Sequence, residues 1–78
     1  MNFPQLERIT INPAVMGGKP CIRGMRITVG TMTGLLAAGE TPESLLALYP
    51  QLEPEDICAA LAYASWRAEE QDIPLQVA

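Results

Sequence analysis

The side chains that could do chemistry in this chain are few and far apart. None of its 78 residues is histidine, which removes the commonest general base and metal ligand. Cys21 and Cys58 stand too far apart in sequence for a zinc-finger spacing. They read as free thiols in a reducing compartment, with one structural disulfide as the alternative. Glu55 and Asp56 are neighbours, but adjacent side chains on a helix diverge by about 100°. They read as charges at a helix N-terminus rather than as an acid–base pair. Gly17-Gly18-Lys19-Pro20 lacks the full spacing of a phosphate loop and has no helix directly after it. The expectation is a non-enzyme with no cofactor, no metal site and no small-molecule substrate.

What remains is the chemistry of recognition. Lys19, Arg23 and Arg26 fall within eight positions, on what reads as a loop and hairpin that could meet phosphate. The alternative is a solvated hairpin whose arginines pair with Glu40 or Glu43. Towards the C-terminus, Tyr63, Trp66, Ile73, Leu75 and Val77 form a candidate protein-binding surface, since Trp and Tyr often dominate binding energy. Glu69, Glu70 and Asp72 lie among them and would steer a basic partner. The alternative is that Trp66 packs into the domain's own core or a dimer interface. The charge distribution matches this division: residues 1–28 carry a net +3 and residues 29–78 a net −7, within a chain of net charge −4. Two surfaces with two kinds of partner are one reading, and solubility alone is the other.

The elements that must position these groups can be read from periodicity and punctuation. Arg8-Ile9-Thr10-Ile11-Asn12 alternates as a strand does, and Asn12-Pro13 stops it. A loop over Met16-Gly17-Gly18-Lys19-Pro20 leads into residues 21–29, which read as two short strands about a turn at Arg23-Gly24. Ile22, Ile27 and Val29 would face the core while Arg23 and Arg26 point to water. A first helix is expected from Val29 or Gly30 to Ala38, with Val29, Met32, Leu35 and Leu36 on one face and Gly39 as its C-cap. A second begins with Thr41 as N-cap and Pro42 in the first position. Its apolar side would be Leu45, Leu46, Leu48 and Tyr49. The third runs from Pro54 to about Glu70, with a Leu52–Ile57 staple across its start and an inner stripe of Ile57, Leu61, Ala64 and Ala68. Tyr63, Trp66 and Arg67 would fall outside that stripe.

The fold expected is mainly α with a small β element: N-terminal short strands or a hairpin (residues 8–29), a three-helix, helix-turn-helix-like bundle (30–71) and a tail (72–78). All form one domain, because a chain this short builds only one small core. A homodimer is expected, joined through N-terminal strands or third helices. The longest uncharged run, Ile27 to Gly39, is too short and too polar for a bilayer span. The N-terminus lacks the pattern of a signal peptide, so a cytoplasmic location and no membrane partner are expected.

The run from Asn12-Pro13 through Gly18-Lys19-Pro20-Cys21-Ile22-Arg23-Gly24-Met25-Arg26-Ile27-Thr28-Val29 resembles the small bacterial and archaeal proteins of domain-of-unknown-function family 433. The likeness continues through Leu35-Leu36-Ala37-Ala38-Gly39-Glu40, Tyr49-Pro50, Leu52 and Pro54-Glu55-Asp56-Ile57 to Ala64, covering about residues 8–71. The resemblance implies a helix-turn-helix-like fold and a role as an antitoxin, often encoded beside a nuclease-like toxin of the PIN type. Met25 departs from the family pattern where threonine is common, and Glu53 where threonine or serine caps the third helix. Glu53, Glu55 and Asp56 together would repel phosphate from the tip of that helix. The function expected is that of an antitoxin in a toxin–antitoxin pair, which neutralises a PIN-like nuclease and represses its own operon through DNA. A stand-alone DNA-binding regulator and a simple dimerisation or adaptor module are the alternatives.

Overall fold

The computed structural model describes residues 4–71. It is mostly helical, with a small antiparallel β element near the N-terminus. In chain order, a 3-10 turn over Pro4–Arg8 leads into β1 (Ile9–Thr10). A second 3-10 turn over Met16–Gly18 leads into β2 (Cys21–Ile22). The helices α1 (Val29–Ala37), α2 (Pro42–Leu48) and α3 (Pro54–Gln71) follow.

The β element is shorter than its alternating pattern suggests. β1 pairs with β2, Ile9 opposite Ile22 and Thr10 opposite Cys21. Arg8 belongs to the preceding turn rather than to the strand. The expected strand after Gly24 is reduced to one bridge, Cys21 opposite Thr28. The turn itself is where the sequence places it. The Met25 N–H donates to the Ile22 carbonyl at 2.8 Å, and the two residues between, Arg23 and Gly24, have φ of 44° and 73°. A tight hairpin turn of this hand needs positive φ at both central positions, which usually selects Asn-Gly or Asp-Gly. Gly24 meets that need freely, but Arg23 pays a conformational cost that an interaction elsewhere must offset.

The helix ends follow ordinary capping chemistry. The Thr28 hydroxyl accepts the Thr31 N–H at the start of α1. Gly39, at φ 105°, closes the far end. At α2, the Thr41 hydroxyl and the Ser44 hydroxyl each accept the other's backbone N–H, a reciprocal capping box behind Pro42. Ile22, Ile27, Val29, Met32, Leu45, Leu52, Ile57 and Ala60 make one buried cluster, with Leu35, Leu36, Leu46, Tyr49 and Tyr63 packed against it. The Leu52–Ile57 staple thus lies within the core.

The expected stripe of α3 is rotated. Ala59 and Ala60 are buried beside Ile57, whereas Leu61 is 49% exposed and Ala68 is exposed. Asp56 turns inwards, so the buried arc runs through Asp56, Ala59, Ala60 and Tyr63 rather than through Leu61. On α2, Leu48 likewise faces out, and Leu45 is the buried residue.

Candidate functional site

The best-defined polar constellation is built on Asp56, whose side chain is fully buried. α3 begins at Pro54, so Glu53 is its N-cap and Asp56 its third residue. Glutamate cannot cap as serine does; instead the Asp56 Oδ2 reaches back to accept the Glu53 N–H at 2.8 Å, the half of a capping box that needs no hydroxyl. The same oxygen accepts the Arg23 Nη2 at 2.8 Å. Oδ1 accepts the Arg8 Nη1 and the Arg23 Nε, both at 3.0 Å. Arg8 Nη1 also donates to Glu53 Oε1 at 2.7 Å, and Arg23 Nη2 to the Gln51 carbonyl at 3.0 Å. One carboxylate therefore ties the turn before β1, the hairpin turn after β2 and the loop before α3 to a single helix terminus.

The electrostatics follow from that geometry. Burial pushes the Asp56 pKa up, but hydrogen bonds from Arg23, the Glu53 N–H and Arg8 outweigh it and bring the value down to about 2. The N-terminal end of α3 adds favourable dipole. A folded-state pKa below the unfolded one gives stability that is present above the unfolded value of 3.8 and lost as pH falls towards about 2. The shift corresponds to roughly 2 kcal/mol, an upper bound because both arginines reach solvent. Acid titration should therefore lower the melting temperature between about pH 5 and pH 2. In an Asp56→Asn variant the slope over that window should be shallower; an identical slope would remove Asp56 from this role.

This arrangement corrects the reading of the hairpin. Arg23 does not point freely to water, nor does it pair with Glu40 or Glu43: Asp56, thirty-three residues away, holds its guanidinium. The ion pair also anchors the side chain whose backbone carries the turn's unfavourable φ. Lys19 and Arg26 are exposed, and no hydrogen bond or ion pair engages their side chains among the described residues. The three basic residues thus do not act as one patch: one braces the fold, and two remain available to a partner. Glu40 accepts instead from the Ser44 hydroxyl at 2.7 Å.

At the other end of α3, the Tyr63 and Trp66 rings meet edge to face with centroids 5.7 Å apart. The Arg67 guanidinium lies 5.9 Å from the centre of the Trp66 ring. Tyr63 packs against the core, contrary to the expectation that it lies outside the inner stripe, while Trp66 is half-buried and Arg67 exposed. Ile73, Leu75 and Val77 lie outside the described residues. Both cysteines are free thiols, Cys21 buried and Cys58 exposed. Among the described residues no cluster of three His, Cys, Asp or Glu side chains could hold a metal, and no helix is long and apolar enough to cross a membrane.

Asp56 was hidden from sequence reasoning because its arginine partners lie 33 and 48 residues away. The available signal was local: an acid three residues after an N-cap that carries no hydroxyl should turn back to the N-cap N–H.

Comparison with known proteins places this arrangement in a family. A relative from Sinorhizobium fredii, uncharacterized protein y4eO, is 38% identical over 58 residues, covering 74% of this chain and 26% of that protein. This chain therefore spans about a quarter of that relative's length. The crystal structure of a DUF433 member protein from Anabaena variabilis superposes with a TM-score of 0.76 at 40% identity, covering 83% of this chain and 64% of that one. The family model described as protein of unknown function (DUF433) matches residues 9–64, the span that holds the hairpin, all of α1 and α2, and the Asp56 terminus of α3. The chain belongs to the DUF433 family.

Proposed function

We propose that this protein is the antitoxin of a toxin–antitoxin pair, acting in the cytoplasm as a homodimer and neutralising a PIN-like nuclease by binding it. The observation that carries the partner-binding reading is the Tyr63–Trp66–Arg67 cluster on α3. A half-buried Trp braced from one side by Tyr63 presents a large apolar area with little conformational freedom left to lose, which is what an interface anchor requires. The surplus of acidic residues in the helical part suits a basic partner, as a nucleic-acid-cleaving enzyme often is. The nuclease class and the antitoxin role come from the family resemblance.

The test is co-expression with any small nuclease-like protein whose gene adjoins this one. Trp66→Ala and a truncation after Gln71 are first checked for retained fold by circular dichroism. Loss of an anchor of this kind costs about 2 kcal/mol or more, so a folded Trp66→Ala variant should bind at least tenfold more weakly and fail to rescue growth. Folded variants that bind and rescue like the parent would remove this surface from the neutralising role.

Repression of its own operon is the second half of the proposal, supported by the exposed Lys19 and Arg26 on the loop and hairpin. Lys19→Ala and Arg26→Ala should each weaken binding to upstream DNA about equally for any sequence and reduce the salt slope by about 1. Arg23→Ala is the uninformative variant, because its loss disturbs the turn. Slopes unchanged in both informative variants would leave a protein-binding module without DNA.

A further inference from the structure

We infer that a second copy of this chain adds its residues 73–77 as a strand to the open edge of β1, each copy giving and receiving one segment. The inference rests on the homodimer in the reading above and names what joins it.

The hydrogen bonds show which way the main chain of β1 faces. The Arg23 N–H donates to the Arg8 carbonyl at 2.7 Å. In the register that sets Ile9 opposite Ile22 and Thr10 opposite Cys21, the pairs placed to exchange bonds with β2 are therefore Arg8–Arg23 and Thr10–Cys21. Ile22 turns the other way and donates its N–H to the Ile27 carbonyl at 2.9 Å. Ile9 and Ile11 thus direct their main-chain N–H and C=O groups away from β2. Among the described residues no hydrogen bond engages the Ile11 main chain, and Ile11 is 60% exposed. An open edge of this kind is a template for another strand. Ile11 also walls a cleft of about 380 Å³ that it shares with Thr10, Pro13, Val15, Cys21 and Gly24, none of them charged.

Charge and reach decide the occupant. The charged groups fixed at the hairpin turn are paired with one another, Arg23 with Asp56 and Arg8 with Asp56 and Glu53. An acidic strand would meet Glu53 and Asp56, and a basic one would compete with the two arginines, so an uncharged strand fits. Ile73-Pro74-Leu75-Gln76-Val77 is uncharged and lies outside the described residues. As a strand it sets Ile73, Leu75 and Val77 on one face. The main-chain groups of the same three residues share one edge, so the N–H that Pro74 lacks is not one that a ladder to β1 needs. The segment cannot come from the same copy. Gln71, where α3 ends, is roughly 22 Å along the helix axis from Asp56, which holds the hairpin turn, whereas Leu75 extends at most roughly 13 Å beyond Gln71. A second copy supplies it, and because each copy carries both edge and segment the exchange closes about a two-fold axis.

The test compares the full chain with Leu75→Asp and Gln76→Asp, by light scattering for mass and by amide hydrogen exchange for the edge. The parent and Gln76→Asp should be dimers at micromolar concentration, and Leu75→Asp a monomer with the parent's circular dichroism. The Ile11 amide should exchange at least tenfold faster in Leu75→Asp than in the parent, because the variant frees the edge. A parent that is dimeric while Leu75→Asp stays dimeric, or keeps the parent's Ile11 exchange rate, overturns this inference and leaves the homodimer reading standing. Equal loss of the dimer in Gln76→Asp also overturns it, since the alternation then plays no part. A parent that is monomeric across the whole range overturns both.

Discussion

Replacing Asp56 with alanine should cost this domain about 3 kcal/mol, more than half of the roughly 5 kcal/mol that a small domain commonly has in hand. The variant loses the carboxylate's hydrogen bonds to Arg8, Arg23 and the Glu53 N–H. Hydrogen bonds to charged groups contribute about 1.5–3 kcal/mol, and a lost N-terminal cap typically about 1 kcal/mol. Rehydration of the two arginines, whose side chains are 30% and 36% exposed, offsets part of this. It does not relieve the positive φ of Arg23, which then keeps only the bond to the Gln51 carbonyl to offset it. Urea unfolding followed by circular dichroism measures the effect. Because Arg23 and Asp56 share one interaction, the double variant Arg23→Ala/Asp56→Ala should be less destabilised than the two single losses added together. Strict additivity, or an unchanged midpoint for Asp56→Ala, would mean the constellation does not hold the fold. Removing Arg23 alone has a further signature. It leaves the buried carboxylate with only Arg8 and the Glu53 N–H to oppose burial, so the Asp56 pKa should rise from about 2, and the acid transition should move to higher pH.

Leu45→Ala should destabilise by about 2–5 kcal/mol, the range for deleting a fully buried leucine and leaving a cavity. α2 has only seven residues, and Leu45 is the one it buries completely. An isolated helix of that length does not persist in water, so its position depends on this anchor together with the capping box at Thr41 and Ser44. Leu48→Ala supplies the contrast: at 58% exposure, its removal should change stability by no more than about 0.5 kcal/mol. Thermal unfolding of the two variants decides the matter. Equal losses would mean that α2 is seated the other way round.

The helices were legible because their signals are local. Thr41-Pro42, Gly39, Leu52 with Ile57, and Pro54 each specify a helix start or stop through bonds to residues a turn away, and the structure uses each of them. The hairpin turn was legible for the same reason, since Gly24 tolerates the positive φ that the turn demands. Ile22, Ile27 and Val29 were correctly assigned to the core as aliphatic residues, but not through alternation, since Cys21 and Thr28 beside them are buried too.

The places where the sequence misled share a different cause. Leu61 and Leu48 look like core residues by type and spacing, yet both are exposed; Asp56 looks like a surface charge and is buried. The phase of a helix is set by the whole face that packs. On α3 that face is chosen by Asp56 turning inwards to meet two arginines, with Ala59 and Ala60 behind it. Small alanines allow close approach where a leucine would hold the elements apart. Likewise Arg8, Lys19, Arg23 and Arg26 form one basic group in sequence, but Asp56 and Glu53 divide them, two to bracing and two to solvent.

The sequence by itself determined where the helices begin and end, that the chain is mostly helical with a small β element, and the family to which it belongs. Tertiary structure alone decided which charges are structural and which face outward. That decision rests on a carboxylate and two guanidiniums brought together across 33 and 48 residues, and pairings at such separations leave no periodicity in a single chain to be read.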